Sequence, residues 1–350
     1  MSTDRIAFVT GGTGFVGSHL VEELLRRGYG EVRCLVRSDR KWLKGLPVVP
    51  VQGTLADRKN LEDAVRGATH VYHVAGLTRA QNEADLIASN VSGTVNLLRA
   101  VERAAPDVEH VQITSSLAVV GLSDEAVADE QTEMNPISAY GRSKAQMERA
   151  LLGKGLGTVG EGGESNDVVE SVDWTRRLPL SIVRPPAVYG PRESDIYTFF
   201  KTVQSGVCPI IGSGRRPEIS LVHVSDLVAG MIDLAESGPE SGEVFFVGSE
   251  VFYSWAEIQA ATTAALGRSA LTIRVPPAVV PFIGRASEAW GRLSRSFPPL
   301  NREKADEILR ACKMCSVEKV MRATGYRQKI SLETGIRDTI EWYRREGWLN

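Results

Sequence analysis

The stretch TGGTGFVG at positions 10–17 constrains this 350-residue chain more than any other. It follows a short apolar run at 6–9 and opens a helical pattern through Leu20, Leu24 and Leu25 that stops at Gly28. Glycines at 11, 14 and 17 suit a tight turn, close approach of backbone to a diphosphate, and close helix–strand packing, in that order. Gly12, Gly14 and Gly17 also satisfy the commoner G-x-G-x-x-G spacing. Free N–H groups and the helix dipole at the start of such a helix favour an anion. A glycine-tolerant turn alone does not call for three glycines in this arrangement, so a dinucleotide is expected here.

The same rhythm continues. Strand-like runs at 32–36, 48–51, 70–75, 108–114 and 180–184 alternate with helical patterns at about 57–66 and 83–105. Such alternation implies right-handed βαβ units in a parallel sheet. The expected fold is α/β: a Rossmann-type doubly wound parallel sheet with a smaller, mostly helical C-terminal substrate domain. A nucleotide-binding domain is expected from 1–184 and 222–248, and a substrate-binding region from 185–221 and 249–350. Residues 153–173, rich in glycine and acid, break the rhythm and read as an insertion. Near the C-terminus, Val279, Phe282, Ile283, Ala286, Trp290, Leu293 and Phe297 recur at helical spacing, with Arg285, Glu288, Arg292 and Arg295 on another side. The favoured reading is a cap helix packed on its own domain. An apolar lid or a helix lying on a membrane surface is the less favoured one. A last amphipathic helix is expected to dock on the body.

Composition narrows the function classes. A net charge of −2 gives no reason to expect nucleic acid or an anionic membrane as partner. No apolar run approaches bilayer length, and the N-terminus lacks the layout of a signal peptide. Four cysteines do not make a disulfide framework in a chain this long, so a reducing, cytoplasmic setting is expected. Cys312 and Cys315 have no second ligand pair and read as packing or surface thiols; no metal is expected.

Two positions bear on chemistry. At the end of the second strand, where an acid would bond an NAD ribose, stands Arg37, followed by Arg40 and Lys41. Arginine can pair with the 2′-phosphate of NADP, so NADP is preferred and NAD remains possible. In PISAYGRSK, residues 136–144, Tyr140 and Lys144 stand four apart, about 5–6 Å between Cβ atoms on a helix. On spacing alone this reads as a solvated helix face sooner than as a proton donor beside a cation.

Together, TGGTGFVG, HVAG (73–76), NVSGTVNLLRA (90–100), TSS (114–116), YGRSK (140–144), RPPAVYGP (184–191) and LVHVSDL (221–227) stand in the order seen in extended short-chain dehydrogenases/reductases. The likeness spans residues 6 to about 227. It implies a catalytic set of Ser116, Tyr140 and Lys144. Tyr140 would be the acid/base at a substrate oxygen, Ser116 would hold that oxygen, and Lys144 would bond the nicotinamide ribose and lower the tyrosine's pKa. A free tyrosine titrates near pH 10, so it needs such help to act as a base. Cofactor contacts are implied at Gly11, Gly14, Phe15, Val16, Gly17, Arg37, Leu55, Ala75, Gly76, Thr114, Tyr140, Lys144 and Pro185. Asn90 would support the backbone near the cofactor, and His223 and Asp226 would brace the fold. Ser115 reads equally well as a strand-end hydrogen bonder. A homodimer through the helices starting near Glu83 and Tyr140 is implied as well.

Departures from the family pattern narrow the substrate. Thr54 stands where an aspartate usually bonds the adenine. Leu117 and Ala118 replace the Asp-Glu pair of sugar-nucleotide dehydratases. Ala187 and Ile219 replace an Asn and an Arg that bind substrate diphosphate in epimerases, and neither can donate a hydrogen bond to phosphate. Arg192, Arg215 and Arg216 remain as neighbouring cations. The motifs look closer to the dihydroflavonol-reductase and 3β-hydroxysteroid-dehydrogenase branches. The expected activity is therefore hydride transfer between NAD(P) and an apolar secondary alcohol or ketone. A nucleotide-sugar epimerase that retains its cofactor is the alternative, and a non-catalytic NADP sensor the second.

Overall fold

The computed structural model describes residues 4–154, 172–216, 218–285, 287 and 302–349. The 155–171 part of the insertion and residues 286, 288–301 of the C-terminal pattern, including Trp290, Leu293 and Phe297, lie outside the described residues.

The first half lays down β1 (Ile6–Thr10), α1 (Phe15–Arg26), β2 (Glu31–Val36), β3 (Val49–Gln52), α2 (Arg58–Val65) and β4 (His70–His73). Then come α3 (Glu83–Ile87), α4 (Gly93–Ala104), β5 (His110–Thr114), a short β6 (Val127–Ala128), α5 (Ala139–Leu151) and β7 (Leu180–Arg184). With β11 (Val244–Phe246), seven of these strands form a sheet in the order β11-β7-β5-β4-β1-β2-β3. Every neighbouring pair in it is parallel. Strand order runs outward in both directions from β1 and β4, so a crevice opens between them at the carboxyl ends, where ligands of such sheets sit.

The sheet is apolar on both faces because helices cover both. Leu20, Val21 and Leu24 of α1 join Leu227 and Met231 of α7 (Val224–Ser237) on one face. Leu61 and Val65 of α2 join Leu97, Leu98 and Val101 of α4 on the other. The helix expected over 83–105 is broken in the middle. A π-helical turn, Ala88–Ser92, separates α3 from α4 and turns Asn90 into the interior, where it is fully buried.

The remaining chain builds smaller units beside the sheet. A three-stranded sheet joins β8 (Ala187–Tyr189), β10 (Ile219–His223) and β12 (Phe252–Tyr253). A two-stranded one pairs β9 (Val207–Ile211) with β13 (Leu271–Val275). Helices α6 (Asp195–Gln204), α8 (Trp255–Leu266) and α11 (Leu332–Arg345) share an aromatic-rich core with Tyr197, Phe200, Trp342 and Tyr343, so the last helix docks as expected. Between them run α9 (Arg302–Arg310), β14 (Met314–Cys315) and α10 (Glu318–Thr324). Strand β14 pairs with β6, and Cys315 is buried in a small cluster against which Cys312 packs.

One expectation fails in the described residues. Val279, Phe282 and Ile283 do not pack on the body as a cap: they are 41%, 67% and 44% exposed. The inward-facing residues of that turn are Val280 and Gly284 instead. Among the described residues, no helix is long and apolar enough to cross a membrane.

Candidate active site

The turn after β1 has the geometry its glycines imply. Gly11 has φ +77°, and a Cβ there would come within 2.6 Å of the Ala75 nitrogen at the end of the neighbouring strand. A Cβ on Gly17 would lie 2.1 Å from the Gly11 carbonyl oxygen, so no other residue lets α1 start this close to β1. Gly14 is the N-cap of α1, no side chain caps the helix, and its first turn, starting at Phe15 and Val16, carries no acid. Its N–H groups are thus oriented for a diphosphate, which fits the implied dinucleotide. Arg37 is exposed just past β2. Leu55 lies against Gly93 of α4, and its carbonyl accepts a 3.1 Å bond from Asn96.

At the crevice, a buried chain of hydrogen bonds ties β1, β4 and α4 together. Thr10 Oγ1 and His73 Nδ1 are 2.7 Å apart, and His73 Nε2 and Thr94 Oγ1 are 2.8 Å apart. Thr94 donates to the Asn90 carbonyl at 2.7 Å, and the Ala75 N–H donates to Thr10 Oγ1 at 3.3 Å. One tautomer satisfies all four links: His73 donates from Nε2 and accepts from Thr10 at Nδ1. Burial pushes the His73 pKa down to about 3, with Lys144 adding to the effect, so the imidazole stays neutral and the chain is a brace.

Asn90 extends this brace to α5 (Ala139–Leu151). Its side chain accepts from Leu77 N at 2.8 Å and donates to Leu77 O and to Ser143 Oγ, each at 2.9 Å. Ser143 in turn donates to the Tyr140 carbonyl at 2.8 Å. Asn90 therefore fixes the backbone just past Ala75 and Gly76. A Cβ on Gly76 would reach within 3.1 Å of Asn90 Oδ1 and 3.2 Å of Lys144 Nζ, so the glycine keeps space in front of that ammonium.

Helix α5 carries Tyr140 and Lys144. Lys144 is buried, and its ammonium donates to the Thr114 carbonyl at 2.8 Å. Burial lowers its pKa to about 8, with Glu148 opposing, so it remains mostly protonated at pH 7. Ser116 lies beside the Tyr140 hydroxyl. The tyrosine's pKa is nevertheless raised: burial dominates, Ser116 pulls it down, and the charge of Glu307 pushes it up. The expected lowering by Lys144 is not present in the protein alone, because that ammonium is turned to Thr114.

Ser116 caps the 3₁₀ turn Leu117–Val119, accepting from Ala118 N at 3.1 Å, and Leu117 N donates to the Pro185 carbonyl at 2.9 Å. The structure thus brings Ser116, Tyr140, Lys144, Thr114, Gly76 and Pro185 to one place. Ser115 is buried on the other side of the strand end, with no partner for its hydroxyl among the described residues.

The sequence did not disclose the acids around the start of α5. Ser138, the N-cap, donates to Glu307 Oε1 at 2.5 Å, and Ala139 N donates to Glu303 Oε2 at 3.1 Å. Arg142 holds Glu83 through two bonds of 2.7 and 2.9 Å and reaches Glu303 at 3.1 Å. Glu303 and Glu307 come from α9, remote in sequence. Two of the three cations offered for a substrate diphosphate are otherwise engaged. Arg192 pairs with Glu22 at 2.6 Å and with Ser18 at 2.9 Å, and Arg216 pairs with Glu218 at 3.0 Å. Asp226 accepts from Lys329 N and Ile330 N, and His223 caps α7 by accepting from Ser225 N, so both brace the fold. Ile219 is buried in the small core rather than lining a site.

Residues 7–248 match the model of the NAD dependent epimerase/dehydratase family. A ceramide reductase of Caulobacter vibrioides is 29% identical, over 100% of this chain and 98% of its own length. A 3-beta-hydroxysteroid dehydrogenase of Mycolicibacterium neoaurum is 26% identical, over 96% of this chain and 90% of its own. A dTDP-glucose 4,6-dehydratase of Streptomyces venezuelae, solved with NAD bound, superposes with a TM-score of 0.73 at 23% identity, covering 99% of both chains, which establishes the fold.

Proposed function

This chain belongs to the NAD dependent epimerase/dehydratase family, and on that premise we propose that it is an NADP-preferring reductase of an apolar ketone, or the reverse dehydrogenase. The observation that carries the reading is the Tyr140 hydroxyl beside Ser116, with the buried Lys144 and the space kept open by Gly76 next to them. When bound, the nicotinamide supplies or accepts the hydride. Ser116 donates to the carbonyl oxygen and fixes it. Tyr140 gives that oxygen its proton, and Lys144 holds the ribose side of the site and favours the phenolate left behind. Asn90 and the His73 chain keep the backbone around Gly76 from shifting.

Substrate class rests on what is missing as much as on what is present. Leu117 and Ala118 hold no acid or base for elimination, and Ile219 lies in a core. The named reductase and dehydrogenase relatives act on a ceramide and a hydroxysteroid, which supports a lipophilic substrate here. Residues 185–221 and 249–350 would form its binding region, against a cofactor domain of 1–184 and 222–248. A homodimer through α3–α4 and α5, in the cytoplasm, completes the proposal.

Tyr140→Phe should abolish turnover and leave cofactor affinity within a few-fold; full turnover in that variant would refute the assignment. The same preparations, desalted and stripped, should release little nucleotide. Near-stoichiometric retention of one dinucleotide would favour an epimerase, which oxidises and re-reduces one carbon without releasing its cofactor. NADP preference rests on Arg37, exposed where an acid would bond the NAD ribose. Arg37→Ala should weaken NADPH binding by at least about tenfold more than NADH binding, and equal loss of both would overturn that preference.

A further inference from the structure

We propose that the face formed by β13 and the turn of helix after it docks on an anionic lipid bilayer. Five of the seven exposed large apolar side chains among the described residues lie here, the other two being Val49 and Val251. Leu271 is 70% exposed and Ile273 46%, and they alternate onto one face of β13. Val279, Phe282 and Ile283 follow at spacings of three and four, one stripe of a helix, and that stripe points outward. An amphipathic stripe normally turns its apolar side to the core. Here the core side is Val280 and Gly284, so the outward stripe is without a partner among the described residues.

Charge identifies the occupant. Residues 196–216 and 258–285, which contain both strands of the two-stranded sheet and its flanks, hold no aspartate or glutamate. They hold Lys201, Arg215, Arg216, Arg268, Arg274 and Arg285, all exposed, and of these Arg216 is paired with Glu218. The chain as a whole has a net charge of −2, so this asymmetry is local and is hidden in the total. Lys201 and Arg268, with Gln204 and Ser205, also line a shallow cavity beside Gly206, whose carbonyl accepts from Leu271 N at 2.8 Å. Exposed aliphatic and phenylalanine side chains rimmed by cations match a surface that is apolar inside and anionic at its headgroups.

The test is co-sedimentation of the full-length protein with vesicles of phosphatidylcholine alone or with one third phosphatidylglycerol. The protein should pellet with the anionic vesicles, should release as salt rises, and should pellet weakly with the neutral ones. Phe282→Ser with Ile283→Ser should cut the bound fraction about tenfold with an unchanged melting temperature, since neither side chain is buried. Arg268→Glu with Arg285→Glu should abolish the preference for anionic vesicles. Wild-type protein that stays in the supernatant, or a serine variant that pellets equally, would overturn the proposal. So would a wild-type dimer that the serine variant turns into a monomer without any vesicle binding, because the face would then join two copies of the chain. None of these outcomes depends on the substrate or on Tyr140, so this proposal and the reductase assignment fail separately.

Discussion

Tyr140 stands between a group that favours its anion and surroundings that oppose it. Burial is the strongest influence and raises its pKa; Ser116 works against that, and the Glu307 charge works with it. A tyrosine raised in this way is protonated throughout the neutral range, which suits a proton donor and hence the reductive direction. Its partner Lys144 is already close to losing its charge at about 8, through burial. Glu307 is therefore placed to tune the acid, although it reaches the site only through its bond with Ser138. Removing its charge must lower the pKa of Tyr140. Reductive activity, which needs the protonated phenol, would then be lost at a lower pH on the alkaline side. Oxidative activity, which needs the phenolate, would appear at a lower pH. Glu307→Gln should shift both limbs of the kcat/KM profile to lower pH, since the glutamine carbonyl still accepts from Ser138 and keeps the helix cap. Profiles that do not move, with an unchanged melting temperature, would reduce Glu307 to a cap.

At the scale of elements, what could be read in the sequence was whatever is local. The turn between β1 and α1 is legible because the requirement for glycine at 11 and 17 arises from atoms a few residues away or on the adjoining strand end. The helix bearing Tyr140 and Lys144 on one face is legible from spacing, whereas singling out that pair with Ser116 depended on the family resemblance. The π-helical turn at Ala88–Ser92 was not legible: the apolar spacing continues across it, and only a buried asparagine in a helical run hints at a break. Nor were Glu303 and Glu307, which reach Ala139 and Ser138 across sequence separations of 164 and 169 residues. No pattern near α5 announces that its first turn is closed by another helix. Arg192 shows the converse failure. Its charge and loop position suited a phosphate, yet Glu22 of α1 is within 2.6 Å of it and the Trp42 ring lies 5.2 Å away. Periodicity likewise gave the stripe at Val279, Phe282 and Ile283 correctly, but not which way it faces, because an exposed stripe and a buried one have the same spacing.

For the whole molecule, the question is what keeps α5 in register with the sheet. Arg184, the last residue of β7, meets Glu148 of α5 through contacts of 2.6, 3.0 and 3.2 Å, with the two side chains only 4% and 0% exposed. The pair joins two parts of the site. Glu148 is one turn beyond Lys144 on α5, and Pro185, next to Arg184, accepts from Leu117 in the serine loop. Two buried charges cost much to desolvate, and an apolar pair of equal volume would hold helix and strand about as firmly. What the ion pair adds is direction, since a bidentate guanidinium–carboxylate contact tolerates little sliding. Glu148→Gln, which leaves Arg184 buried and unpaired, should destabilise the fold by about 3–5 kcal/mol in urea unfolding. Glu148→Leu with Arg184→Met should recover most of that stability. If the pair sets register, this double variant should still lose turnover, because Tyr140 and Ser116 would no longer be held at a fixed separation. A double variant with both stability and turnover restored would show that packing alone positions α5.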